Sequence, residues 1–248
     1  MPDADRVLAG PPDRDVPVPD AVTALAGGRT VVPVWQNEVG GITYDVGTGG
    51  ARVFVKWSPA GRGPDLAVEA ERLTWAAHHI VVPRVVHCGR DDDGSWLVTE
   101  ALPGASAVSA RWLGDPTTAV TAIGRGLRAL HDALPVGECP WSWSVADRGG
   151  DPREAPPVDR LVVCHGDACA PNTLVGDDGS WIGHADLGRL GVADRWADLA
   201  VATWSTVWNY GPGYEDLLLA EYGIAPDPEC TAFYRRLWDL GSGPERDP

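Results

Sequence analysis

At 248 residues, with 44% hydrophobic and 22% charged positions, the chain has the apolar content for one large domain or two modest lobes, and disorder is not its default. No run approaches the roughly eighteen apolar residues of a membrane span, and the acidic, polar start Met1–Arg6 lacks the basic-then-apolar pattern of an export signal, so a cytoplasmic location is expected. A formal net charge of −15 argues against nucleic acid and anionic lipid as partners and favours cations, although solubility alone could account for it.

Residues 1–30 are rich in Pro and Asp and read as a surface wrap with a short helix near Asp20–Ala26. Three strand-like runs follow, Val31–Trp35, Ile42–Val46 and Arg52–Trp57, separated by the Gly-rich turns Gly40-Gly41 and Gly47–Gly50. Asp65–His79 has helical spacing, with Leu66, Leu73 and Ala77 on one face and Glu69 near its middle. Two more strands are expected at Arg84–Cys88 and Trp96–Glu100, which makes a five-stranded antiparallel sheet with one helix. Leu102-Pro103-Gly104 is a natural hinge. Beyond it, Thr117–Leu134 reads as a helix, and Ala146–Asp159 as a loop. A short strand at Leu161–Cys164 leads to a hairpin of Thr173–Val175 and Trp181–Ala185. Helices are expected over Asp194–Trp208, Tyr214–Tyr222 and Pro228–Leu240, and a loose tail over Gly241–Pro248.

The five cysteines, Cys88, Cys139, Cys164, Cys169 and Cys230, include no C-x-x-C pair, so they suggest neither a disulfide framework nor a zinc site and read as ordinary buried thiols. Among twenty basic residues Lys56 is the single lysine. A chain that otherwise uses arginine, yet keeps one lysine in the strand V-F-V-K-W, points to a place where a compact ammonium is needed and a planar guanidinium will not serve. Chance survival on a surface strand is the alternative.

The densest signal is L-V-V-C-H-G-D-A-C-A-P-N-T-L-V (161–175), followed by W-I-G-H-A-D-L-G-R-L-G (181–191). Phosphoryl transfer needs a carboxylate to orient a hydroxyl and accept its proton, and oxygen ligands to hold Mg²⁺ against phosphates. Asp167 follows a strand, on a loop where a carboxylate can face a cleft. A hairpin brings its ends together, so Asn172 and Asp186 can flank one metal. Taken singly, each of these residues is as readily a turn former or cap. Taken jointly, they are a catalytic rim.

H-G-D-x-x-x-x-N followed by D-L-G, with Lys56 upstream, resembles the aminoglycoside phosphotransferases, relatives of the eukaryotic protein kinases; H-G-D-A-C-A-P-N and D-L-G-R-L-G-V-A-D-R-W-A-D-L-A are most similar to the 3′-phosphotransferase (kanamycin and neomycin kinase) branch. The resemblance implies an α+β, bilobal protein-kinase-like fold. Residues 1–101 would be an N-terminal nucleotide-binding lobe, an antiparallel sheet with one main helix. Residues 102–248 would be a mostly helical catalytic and substrate-binding lobe. It further implies ATP or GTP and Mg²⁺, with Asp167 as catalytic base and Asn172 and Asp186 as metal ligands. Lys56 would contact the α/β-phosphates and pair with Glu69, Glu71 being the lesser candidate. Gly40 and Gly41 would cover phosphates with backbone N–H groups, and Thr99 and Ala101 would offer backbone groups to adenine. His165 and Asp198 would brace the catalytic loop.

For the acceptor the resemblance implies a cationic small molecule bound by a monomer or weak dimer, with Arg189, Asp194, Asp239, Glu154 and Asp147 as candidate contacts. Here the chain departs from the branch. The acidic insertion before H-G-D is reduced to a short loop whose acids are Asp147, Asp151, Glu154 and Asp159. Of the C-terminal acidic pair only Asp239 remains, beside Trp238, and Trp204 and Trp208 stand where the branch has Arg and Glu. Indoles there could stack on sugar rings or simply be core. The implied activity is ATP-dependent O-phosphorylation of an aminoglycoside hydroxyl, with the 3′ position leading, which inactivates the antibiotic and confers resistance. The alternatives are a kinase of another small hydroxylated metabolite or antibiotic class, or a non-catalytic nucleotide-binding regulator.

Overall fold

The computed structural model describes residues 9–12 and 16–240, so the tail expected over 241–248 lies outside the described residues. The chain divides into two compact units, one running to Trp75 and including Pro83–Ala101, the other holding Ala76–Val82 and the chain from Leu102 onward.

The first unit is built on strands β1 (Val31–Gln36), β2 (Ile42–Val46), β3 (Val53–Pro59), β4 (Val85–Arg90) and β5 (Gly94–Glu100), in the order β1-β2-β3-β5-β4 with every pair antiparallel. Strict alternation in β2 buries Ile42, Tyr44 and Val46 on one face. They meet Val55, Val98 and two residues of helix α1 (Asp20–Ala26), Val22 and Ala26, in one apolar cluster. The Tyr44 hydroxyl donates to the Pro17 carbonyl at 3.2 Å, and burial pushes its pKa up to about 12. Helix α2 (Leu66–Ala76) is shorter than its spacing predicts. His79 and Ile80 both donate to the Ala76 carbonyl, so the chain winds off in a tightened turn and Ala77 is exposed.

The second unit is mostly helical: α3 (Ala110–Leu113), α4 (Pro116–Ala133), α5 (Trp196–Tyr210), α6 (Glu215–Tyr222) and α7 (Pro228–Leu240). Helix α4 starts where Asp115 accepts from the Thr118 amide at 3.2 Å, with Pro116 at the first helical position. Its apolar face, Val120, Ile123 and Leu127, joins Trp196, Leu199, Leu218 and Phe233 in a single core. Two small antiparallel sheets carry the loops of interest: β7 (Leu161–Cys164) with β10 (Gly191–Asp194), and β6 (Ala105–Ser106), β8 (Thr173–Val175) and β9 (Trp181–His184) in the order β6-β8-β9. Cys164 and Cys230 are buried thiols; Cys88, Cys139 and Cys169 are only partly buried. No helix among the described residues is long and apolar enough to cross a membrane.

His184, at the end of β9, is buried against the rings of Trp181 and His165, at 5.4 and 5.6 Å. Burial first, and the His165 charge second, lower its pKa to about 3. An unfolded histidine titrates near 6.5, so below that pH the unfolded chain binds the proton and the fold does not; stability is full above about pH 6.5 and drains as pH falls toward 3. Urea unfolding at about pH 7.5 and about pH 5 should differ by roughly 2 kcal/mol from this residue, and His184→Asn should remove that share of the slope. An identical slope in the variant would show that His184 is not its source.

Candidate active site

In the first unit Lys56 sits mid-sheet, in register with Thr43 on one side and Leu97 on the other. Its Nζ reaches Glu69 Oε1 at 2.7 Å and Oε2 at 2.9 Å. Glu69 lies in the first turn of α2 and is only 5% exposed, whereas Glu71 faces solvent. A carboxylate so buried is kept there by its partner, since losing the ammonium would strand the charge. Gly40 and Gly41 form the β1–β2 turn, but their N–H groups are spent inside it: Gly40 donates to the Asn37 carbonyl, and Gly41 to Asn37 Oδ1 at 2.7 Å. Thr99 is flanked in the sheet by Phe54 and Val85, and the Ala101 N–H donates to the Arg52 carbonyl at 3.2 Å. The amides expected to reach nucleotide at Gly40, Gly41 and Ala101 are thus already satisfied by the chain.

In the second unit the loop after β7 is pinned from beneath. Asp198, in the first turn of α5 and fully buried, accepts from the His165 amide at 2.6 Å and the Gly166 amide at 2.9 Å. It also receives His131 Nε2 at 2.9 Å, and His131 Nδ1 meets the Tyr222 hydroxyl at 2.9 Å. A carboxylate only accepts, so Nε2 carries the proton and Nδ1 accepts from the tyrosine. Burial pushes the Asp198 carboxyl up, but the His131 hydrogen bond, the His131 and His165 charges and the Gly166 amide outweigh it and hold it below the ordinary range. Two turns further along α5, Ser205 Oγ accepts from the Ala170 amide at 2.9 Å. Helix and loop are joined at both ends.

His165 Nε2 donates to the Ala185 carbonyl at 2.9 Å, while its Nδ1 accepts from the Asp167 amide at 3.3 Å. Gly166 has φ of +81°, and a Cβ there would collide with the Arg189 carbonyl, so only glycine lets the two loops touch. Asn172 Nδ2 donates to the Asp167 carbonyl at 2.9 Å. The Ala185 amide donates to the Asn172 carbonyl at 2.9 Å, and Thr173 pairs with His184, so the hairpin brings Asn172 beside Asp186. Asp186 has φ of +63°. The Asp167 carboxylate is partly exposed, with a buried Oδ1 that finds no hydrogen-bond partner among the described residues. Hard oxygen donors at Asn172 and Asp186, carried by adjoining backbone, suit a magnesium ion.

The acceptor-side residues are more scattered. Arg189 is exposed in its side chain, and Asp239 and Glu154 face solvent. Asp147 holds its own loop, accepting from Ser144 N at 3.0 Å and Ser144 Oγ at 2.6 Å. Asp194 is a correction: it is 4% exposed and its oxygens take the Asp159 amide at 2.5 Å and the Trp196 amide at 2.8 Å. Burial raises its pKa, and it caps the start of α5 instead of facing a ligand. Trp204 and Trp208 stack at 4.8 Å between centroids and enclose Trp238 at 6.5 and 5.9 Å. Trp208 is 49% exposed, so the cluster is not simply core. Sequence reasoning passed over Ser205, His131 and Tyr222, which carry no motif.

A carboxylate on a pinned loop beside an asparagine and an aspartate in one unit, and a lysine–glutamate pair on a five-stranded sheet in the other, are the equipment of a protein-kinase-like phosphotransferase. The chain belongs to the phosphotransferase enzyme family, whose model matches residues 39–156 and 151–234. It is 37% identical over 245 residues to an aminoglycoside 3′-phosphotransferase of Streptomyces ribosidificus, covering 82% of this chain and 92% of that protein. It is 34% identical to the streptomycin 3″-kinase of Streptomyces griseus, covering 92% and 99%. Among solved structures, an aminoglycoside-3′-phosphotransferase of type VIII superposes with a TM-score of 0.72 at 33% identity, covering 90% and 98%. The fold and the enzyme class are therefore those of the aminoglycoside phosphotransferases.

Proposed function

We propose that the protein transfers the γ-phosphoryl group of ATP to a hydroxyl of an aminoglycoside, the 3′ position leading, and so inactivates the antibiotic. The observation that carries this reading is the placement of Asp167: its loop is fixed by Asp198, Ser205 and Asn172, with Asp186 beside it. Asp167 orients the acceptor hydroxyl and takes its proton. Asn172 and Asp186 would hold magnesium, which when bound neutralises charge on the phosphates. Lys56, kept in place by Glu69, would contact the α/β-phosphates of the nucleotide. A related structure from Streptomyces rimosus, 27% identical, was solved with ADP and streptomycin, which supports a nucleotide site and a cationic acceptor. The net charge of −15 suits such an acceptor, and phosphorylation would offset the cationic contacts on which its target affinity depends.

The test is mass spectrometry of kanamycin, neomycin and streptomycin incubated with protein and ATP. A phosphate adduct on at least one is expected; ADP release only with a sugar amine or amino alcohol would overturn the acceptor assignment. Streptomycin belongs in the panel because the streptomycin kinase aligns with nearly the whole chain. For Lys56→Arg, kcat/KM for ATP should fall about tenfold or more with circular dichroism unchanged, because a planar fork does not replace a point charge. Near wild-type kinetics would contradict the lysine's role.

A further inference from the structure

We propose that Arg148, together with Arg189, is an anchor for the phosphoryl group in flight, its guanidinium gripping the non-bridging oxygens as they pass Asp167. The proposal rests on the phosphotransferase reading above and adds a residue to it. Arg148 sits in a tight turn: its amide donates to the Ser144 carbonyl at 3.2 Å, and the Gly149 and Gly150 amides close on Ala146 and Val145. Its guanidinium lies 4.9 Å from the centroid of the buried Trp143 ring, which fixes the plane of the fork. Nε and Nη2 are buried and find no hydrogen-bond acceptor among the described residues. Buried donors left without a partner are costly, so a fold that keeps two of them is set up for an anion.

Backbone contacts connect this arginine to the base. The Trp143 amide donates to the Val192 carbonyl at 3.0 Å, and a Cβ at Gly191 would lie 2.8 Å from the Ser142 carbonyl carbon. The next loop residues back along the chain are Leu190 and Arg189, and the Arg189 carbonyl is packed on Gly166, the neighbour of Asp167. Burial lowers the Arg148 pKa, the Arg189 charge lowers it further, and Asp167 works against both. The Arg189 and Asp167 charges are thus both felt at Arg148, and Asp186 stands beside the same loop. The anion that this chemistry brings to Asp167 is the phosphoryl group itself.

In the step, the acceptor oxygen forms a bond to the γ-phosphorus while the bond to the β,γ-bridging oxygen breaks. The hydroxyl proton goes to the Asp167 carboxylate and the electron pair leaves with ADP. Negative charge spreads over three non-bridging oxygens, two of which a planar fork can hold.

The experiment compares wild type, Arg148→Ala and Arg148→Lys by calorimetric binding of ADP with magnesium, with and without aluminium fluoride, which mimics the transferring group. Wild type should gain on the order of tenfold in affinity from the fluoride and Arg148→Ala little, with ADP alone bound within about twofold in both. Arg148→Lys should recover part of the gain, and it carries the comparison if the alanine variant lacks a native circular dichroism spectrum. In turnover, kcat should drop on the order of a hundredfold with acceptor KM nearly unchanged. Wild type and Arg148→Ala responding alike to fluoride, an equal loss with ADP alone, or a change confined to acceptor KM would each overturn the assignment. The fluoride arm needs no acceptor, so its outcome is separable from failure of the aminoglycoside panel.

Discussion

Asp167→Asn is expected to lower kcat by about a thousandfold or more while ADP affinity stays within about threefold, read by coupled ADP release and calorimetry. The substitution keeps the size of the side chain and the backbone bonds that hold the loop, so the Asp167 amide still meets His165 and its carbonyl still accepts from Asn172. What disappears is the charge and the site for the proton. A carboxamide cannot accept the hydroxyl proton and orients its dipole less favourably toward a developing alkoxide. A tenfold loss or smaller would mean that positioning alone drives the reaction and that Asp167 is not the base. Loss of ADP binding with turnover preserved would contradict the role outright.

Asp198→Ala should be the most destabilising single change in the second unit, by about 3–5 kcal/mol in denaturant unfolding, which corresponds to roughly 10 °C in Tm. The truncation strands the His165 and Gly166 amides and the His131 Nε2 proton in a dry interior. Asp198→Asn should fall between the alanine variant and wild type, since one oxygen can still accept from the Gly166 amide while the nitrogen faces donors. The carboxyl is held below its ordinary range, so its contribution is present above the unfolded carboxylate pKa near 3.9 and is lost as pH falls through the lower folded value. Activity should fall with stability, because the same amides hold the loop that carries Asp167. An alanine variant within about 1 kcal/mol of wild type would show that the loop supports itself.

The sheet of the first unit was legible because its strands are short runs of Val, Ile, Phe and Trp separated by glycine-rich turns, long enough to show their own pattern even where, as for β3 and β5, the partner lies beyond a helix and another strand. Helix α4 was equally clear, since Asp115-Pro116 opens it and apolar positions recur at helical spacing. Strand β10 was not: Gly191–Asp194 was read partly as the start of a helix, because its partner β7 lies some thirty residues upstream and four residues carry little pattern of their own. The two-residue β6 and the single-turn α3 are below what periodicity can detect. The motif residues Asp167, Asn172 and Asp186 could be picked out by spacing and by resemblance. Ser205 and His131 could not, because what they do depends on which helix face meets the loop. Asp194 was misassigned because a capping carboxylate and a ligand-facing one look the same in sequence.

Asp186 is the single non-glycine position with positive φ among the described residues. Only glycine, asparagine and aspartate enter that backbone region readily, so the position is confined by geometry before any chemistry is considered. From an aspartate codon, asparagine and glycine are each a single-base change away. The one-step variants that keep the turn intact therefore discard the charge, and a lineage that loses activity by that route would do so as a well-folded, silent protein.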